Sequence, residues 1–174
     1  MNGDGAPVLP GPALQEPVSR EDFKEAMTRF ATCVTVVTAS TSGTPVGCTV
    51  TAVFSLTDDP PTMAVSLRTA SRTLRDIRAA GTFAVNVLPW HRRELAQRFA
   101  TADPAVRFDG VGHVLRDGAP VLTDAEAVVV CRTAQEVPLL DHTLLVGTVL
   151  SAETAADGQP FVLYQRDAHR LGAH

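Results

Sequence analysis

Three groups of residues carry side chains and spacings that can do chemistry. The first is Ser71-Arg72-Thr73, at the start of a segment with helical periodicity. The first turn of a helix leaves backbone N–H groups unpaired and partially positive. Two hydroxyls and the guanidinium groups of Arg68, Arg72 and Arg75 beside such a turn suit a phosphate. An ordinary Ser N-cap flanked by solvated arginines accounts for the same letters. The second group is Gly47 to Ala52, where Gly47 permits close backbone approach and Thr49, Val50, Thr51 and Ala52 leave strand-edge amides accessible. A flat, polar-edged ring fits there; so does a plain strand. The third is Asp141-His142 ahead of a β-branched run, an imidazole with a carboxylate neighbour or simply a surface turn. Together they suit a planar, phosphate-bearing ligand better than a metal or an activated nucleophile.

These groups need elements to hold them. The N-terminal 18 residues contain Pro7, Pro10, Pro12 and Pro17 and read as a mobile tail, leaving 19–174 as one domain. Ser19 opens a capping box with Asp22, and Phe23, Met27 and Phe30 predict an amphipathic helix over 20–31. Cys33 to Ala39 is short and β-branched, with Pro45 to Thr51 as its hairpin partner. Strand patterns recur at Met63 to Leu67, Phe83 to Val87, Val128 to Thr133, Thr143 to Ala152 and Phe161 to Gln165, about seven strands by this criterion. Two further helices are predicted, Arg72 to Ala80 with Gly81 as its stop, and His91 to Ala100. Strands dominate and do not alternate with helices, which favours a small antiparallel barrel with peripheral helices over a doubly wound parallel sheet.

Composition excludes other classes. A chain of 174 residues, 45% hydrophobic, is long enough for one domain with a real core. A net charge of −4 argues against nucleic acid as a partner. Cys33, Cys48 and Cys131 form no C-x-x-C pair, and each lies in an apolar run where a small buried hydrophobe is expected. No metal site is predicted, nor any signal peptide or membrane span. A reducing, cytoplasmic setting is the expectation. Glycine fingerprints, a P-loop and a nucleophile elbow are missing from the sequence.

The run GCTVTAVFSLTDDPP, from Gly47, resembles the short-chain flavin reductases, the reductase components of two-component flavin-dependent monooxygenases. FATCVTVVT from Phe30, SRT at Ser71, FAVNVL from Phe83, RFA at Arg98, APVL at Ala119 and DHTLLVGTVL from Asp141 follow in the family's order. The likeness spans roughly residues 20–170. It implies a mainly β, split β-barrel of the FMN-binding, flavin-reductase-like type, homodimeric, with flavin near the dimer interface. It also implies reduction of FAD or FMN by NADH or NADPH and delivery of reduced flavin to a partner monooxygenase. By position, Thr49, Val50, Thr51 and Ala52 would contact the isoalloxazine ring, with Cys33 and Val34 beside it. Ser66, Leu67 and Arg68 would flank the ribityl chain, Ser71, Arg72 and Thr73 would hold the phosphate, and Phe99 completes the cofactor-binding set. His142 would approach the nicotinamide as the catalytic residue. Two departures stand out: Val50-Thr51-Ala52 where many relatives have Ala-Asn-Ser, and Leu140 where Gly often precedes Asp-His. An FMN-retaining oxidase of the pyridoxamine-phosphate-oxidase type and a non-catalytic flavin- or haem-binding module are the alternative functions.

Overall fold

The computed structural model describes residues 16–156 and 158–171, so most of the expected N-terminal tail lies outside the described residues. Helix α1, Arg20–Met27, begins as its capping box predicts. Ser19 Oγ accepts from the Asp22 amide at 3.1 Å and donates to the Asp22 carboxylate at 2.7 Å. It ends earlier than expected, leaving Phe30 beyond the helix, and none of its side chains is buried. Phe23 and Phe30 remain 55% and 62% exposed, so the apolar stripe is real but is left uncovered by the described residues.

Next come β1 (Thr32–Cys33), β2 (Thr35–Thr41), β3 (Thr44–Val50), β4 (Val53–Asp58) and β5 (Pro61–Arg68). Helix α2 (Arg72–Ala80) and strand β6 (Thr82–Val87) follow, then helix α3 (Glu94–Thr101). The remainder is β7 (His113–Arg116), β8 (Ala119–Leu122), β9 (Ala127–Leu139), β10 (His142–Thr154), β11 (Phe161–Tyr164) and β12 (Asp167–Arg170). The described residues thus hold twelve strands where periodicity predicted about seven. The extra ones are short or, like β4, mostly exposed, so burial imposes no alternation on them.

All strand pairings are antiparallel. The main sheet has seven strands in the order β3-β2-β6-β9-β10-β5-β4. Strands β3 and β4, at its opposite margins, are consecutive in sequence and joined only by Thr51 and Ala52. The Ser66 amide donates to Ala52 O at 2.9 Å, tying that link to β5. Two small sheets, β1-β11-β12 and β7-β8, lie outside the main one.

Strand β2 is buried on both faces, which explains its uninterrupted β-branched run. Val37 and Ala39 pack with Leu74 and Ile77 of α2, Phe83 and Leu145. Val36 faces the other way, toward Leu95 and Phe99 of α3 and Phe161, with Val34 beside it. Fully burying Leu74 and Ile77 contributes about 1.5–3 kcal/mol each, enough to dock a nine-residue helix. Asn86, also fully buried, donates to Val36 O at 3.0 Å and to Thr38 Oγ1 at 3.1 Å, and accepts from the Leu122 amide at 2.9 Å. Its carboxamide therefore braces β2, β6 and β8 without leaving either end orphaned.

One expectation on the cysteines is corrected. Cys131 is buried and Cys48 half-buried, but Cys33 is exposed, because β1 is a two-residue edge strand with only β11 beside it. Among the described residues, no helix is long and apolar enough to cross a membrane, and no cluster of three or more metal-ligating side chains forms.

Candidate functional site

Helix α2 begins where its first residues dictate. Ser71 has an extended backbone, and its Oγ accepts from the Leu74 amide at 3.1 Å. The Ser71 amide itself donates to Arg68 O at 2.9 Å. Among the described residues this leaves the Arg72 and Thr73 amides and the Ser71 hydroxyl proton without a partner. Gly81 ends the helix in the left-handed region at φ 72°, donating to Ile77 O at 2.8 Å.

In front of this helix start lies a cleft of about 510 Å3. It gathers Thr49, Val50, Thr51 and Ala52 from the β3–β4 link, and Ser66, Leu67 and Arg68 from the end of β5. Ser71, Arg72 and Thr73, Phe99 and His142 complete the expected set. Cys33 and Val34 are not part of its lining: Cys33 sits on the exposed edge strand and Val34 is wholly buried with Leu88 and Phe161. The side chains of Val50 and Leu67 turn into the core, so these two residues offer the cleft chiefly backbone. Thr51 and Ala52 are exposed, and among the described residues their amides donate to no backbone carbonyl. Here is the bare, amide-bearing ledge.

Other contacts narrow the roles. Thr49 donates its hydroxyl to Ala96 O at 2.6 Å, tying β3 to α3. Arg75 forks onto the Asp76 carboxylate at 3.1 and 3.2 Å and stays out of the lining, while Arg72 Nε stands 3.9 Å from the same carboxylate. Gly47 is required by crowding: a Cβ there would meet Val37 O at 3.0 Å and the Phe99 ring at 3.3 Å. His142 opens β10 directly opposite Arg68 of β5. Its Nδ1 lies 2.8 Å from Asp141 Oδ1, and that hydrogen bond holds the Asp141 carboxyl below the usual carboxylate range, leaving Nε2 as the free ring nitrogen. Leu140 takes φ 55° at the hairpin tip and points wholly into solvent, so replacing the family's glycine strains the turn without narrowing the cleft.

Sequence reasoning missed Cys48, Ala100, Pro104 and Arg107, which also line the cleft. Pro104 opens a short 3-10 turn capped by Asp103, whose carboxylate accepts from the Ala105 amide at 2.9 Å. The Asp-Pro pair was the available signal for that turn. Burial pushes the Cys48 thiol up, outweighing its hydrogen bond with Thr73 and the nearby charge of Arg107. A second hollow, about 550 Å3, shares Thr51 and Ala52 but is otherwise walled by α1 and the β11–β12 turn. It offers no helix start to an anion.

The family model described as "Flavin reductase like domain" matches residues 27–172. The reductase component of a 4-nitrophenol 4-monooxygenase/4-nitrocatechol 2-monooxygenase from Rhodococcus opacus is 35% identical over 150 residues, 86% of this chain and 80% of that protein. An NADH:riboflavin 5′-phosphate oxidoreductase from Streptomyces pristinaespiralis is 35% identical over 173 residues, 97% of this chain and 94% of that protein. Among solved structures, the NADH:FAD oxidoreductase SgcE6 of Streptomyces globisporus superposes with a TM-score of 0.83 at 29% identity, covering 94% of this chain and all of that one. The mostly β architecture with peripheral helices, the cleft and these likenesses agree: the chain belongs to the flavin-reductase-like family.

Proposed function

We propose that this protein is an NAD(P)H:flavin oxidoreductase, passing a hydride from NADH or NADPH to FAD or FMN and supplying the reduced flavin to a separate monooxygenase. The relatives' names point the same way: one is a monooxygenase reductase component, and others are NADH-dependent reductases of riboflavin 5′-phosphate or of FAD. The observation that carries the reading is the single cleft joining an amide ledge, a free helix start and His142. Its residues fit a flavin: among the described residues the amides of Thr51 and Ala52 are without a backbone partner and could meet the polar edge of a ring, and those of Arg72 and Thr73 could meet a phosphate. Among the described residues, no carboxylate lines the cleft to repel a phosphate.

When bound, the flavin itself supplies the hydride acceptor. The chain has to bind, orient and screen. Ser71, Arg72 and Thr73 would anchor the phosphate end, Ser66 to Arg68 would follow the linking chain, and Thr49 to Ala52 would hold the ring. Preorganised amide dipoles there oppose the negative charge that reduction builds. His142, its Nδ1 fixed by Asp141, would offer Nε2 to the nicotinamide and help orient it toward the flavin, as hydride transfer requires.

The proposal includes residues 19–174 as one split β-barrel domain that works as a homodimer in the cytoplasm. Support for the barrel is that margins β3 and β4 are joined by Thr51 and Ala52 alone, which draws the two edges together. Support for the dimer is the apolar face of α1, which the described residues leave uncovered. The test is NADH oxidation followed at the nicotinamide absorbance band with excess FAD or FMN. Oxidation that requires added flavin is the expected result. Firm flavin binding without NADH consumption would reject the reductase in favour of a binding module or oxidase.

A further inference from the structure

Arg107 lines the cleft and is held in place by the backbone around it. Its Nε donates to Ala102 O at 3.0 Å and its Nη1 to Gly47 O at 2.7 Å. The loop that carries it is braced twice: Arg98 donates to Val106 O at 2.7 Å and Asp109 O at 2.5 Å, and the Phe108 ring meets Phe99 edge-on at 5.0 Å. Of the five N–H bonds of a guanidinium, these contacts use two and leave three. Among the described residues Arg107 pairs with no carboxylate, although it is half-buried in a chain of net charge −4. Arg107 bonds the carbonyl just before Cys48, a residue that packs with the cluster holding Leu74 of α2, and it shares the cleft lining with Ser71, Arg72 and Thr73, which places it at the α2 end of the cleft.

The cationic groups of that end exceed what one phosphate needs. Among the described residues, the lining holds Arg68, Arg72, Arg107 and a free helix start, and no acid. A flavin mononucleotide brings one phosphate of roughly −1.5 to −2 charge, which the helix start and Arg72 already meet. We infer that Arg107 is a specificity-determining residue that receives the second phosphate of a flavin dinucleotide, so that this cleft prefers FAD to FMN. The inference rests on the flavin reading of the cleft and adds to it a choice of substrate. A cation held by two carbonyls before the ligand arrives loses little freedom on binding, which favours a strong charge-assisted contact.

The test compares dissociation constants for FAD, FMN and riboflavin, by quenching of flavin fluorescence, in the wild type and in Arg107→Gln. Wild type should bind FAD more tightly than FMN. The variant should lose about tenfold in FAD affinity while FMN and riboflavin change less than about twofold. Equal losses for FAD and FMN, or no loss, would overturn the assignment, as would an effect confined to the KM for NADPH. Because Arg107 also braces backbone carbonyls, Arg107→Lys and a displacement assay on unaltered protein accompany it. ADP should displace FAD at concentrations about tenfold lower than AMP does, and equal potency would count against the proposal. If no flavin binds the wild type, the flavin reading itself falls; binding without dinucleotide preference removes only this inference.

Discussion

Ser71 performs two tasks with one hydroxyl: its lone pair caps α2 through the Leu74 amide, and its proton remains free to meet an anion. Changing Ser71 and Arg72 together to Ala should weaken flavin binding about tenfold or more, read as a dissociation constant. Loss of the cap alone costs about 1 kcal/mol of stability, but a glycine cap costs only a few tenths. Ser71→Gly therefore separates the tasks: weaker binding with an almost unchanged thermal midpoint assigns the hydroxyl to the ligand, while unchanged flavin affinity in either variant removes it from the site. His142→Ala should raise the KM for NADH with flavin affinity nearly intact. Parallel loss of both would make the histidine a structural part of the hairpin. The residues of this site were legible where their types announce anion or edge chemistry, as in Ser71 and Thr73. Arg107 was hidden because its role comes from two carbonyls on separate segments, Gly47 O and Ala102 O, which no spacing in the chain reveals. Cys33 was misjudged in burial because a β-branched context says nothing of whether a strand has a neighbour on each side.

At the scale of elements, α2 was readable to its ends because both caps are written locally, Ser71 before it and Gly81 after it. Strand β2 was readable for a different reason, burial on two faces. Strands β7, β8 and β12 are four residues each, too short for alternation to rise above chance. The long β9–β10 hairpin depends on a position that looks unremarkable in sequence. A Cβ at Gly147 would come within 2.7 Å of both Cys131 Cβ and Phe83 Cζ, beside a shift in the β9–β10 register. Gly147→Ala should then destabilise the protein by about 1–3 kcal/mol through overpacking, seen as a lower urea midpoint. An unaltered midpoint would show that β10 moves aside at no cost.

For the whole molecule, the exposed apolar residues of α1 and of the turn that follows it need a partner. Phe23, Met27 and Phe30 stay exposed, and Met27 and Phe30 line a hollow that includes Thr51 and Ala52, so the proposed second subunit would cover a surface continuous with the ledge. Replacing Phe23 and Phe30 by Asp should shift the sedimentation coefficient from dimer toward monomer and weaken flavin binding along with it. A dimer that persists would place the interface elsewhere. The link between β3 and β4 carries one more consequence. Thr51 and Ala52 alone join the outer strands, and the same pair presents the unpaired amides. A ring bound there would act as a clasp between β3 and β4: its departure would be coupled to the loosening of that link, and the tempo of product escape would then follow the cohesion of the sheet.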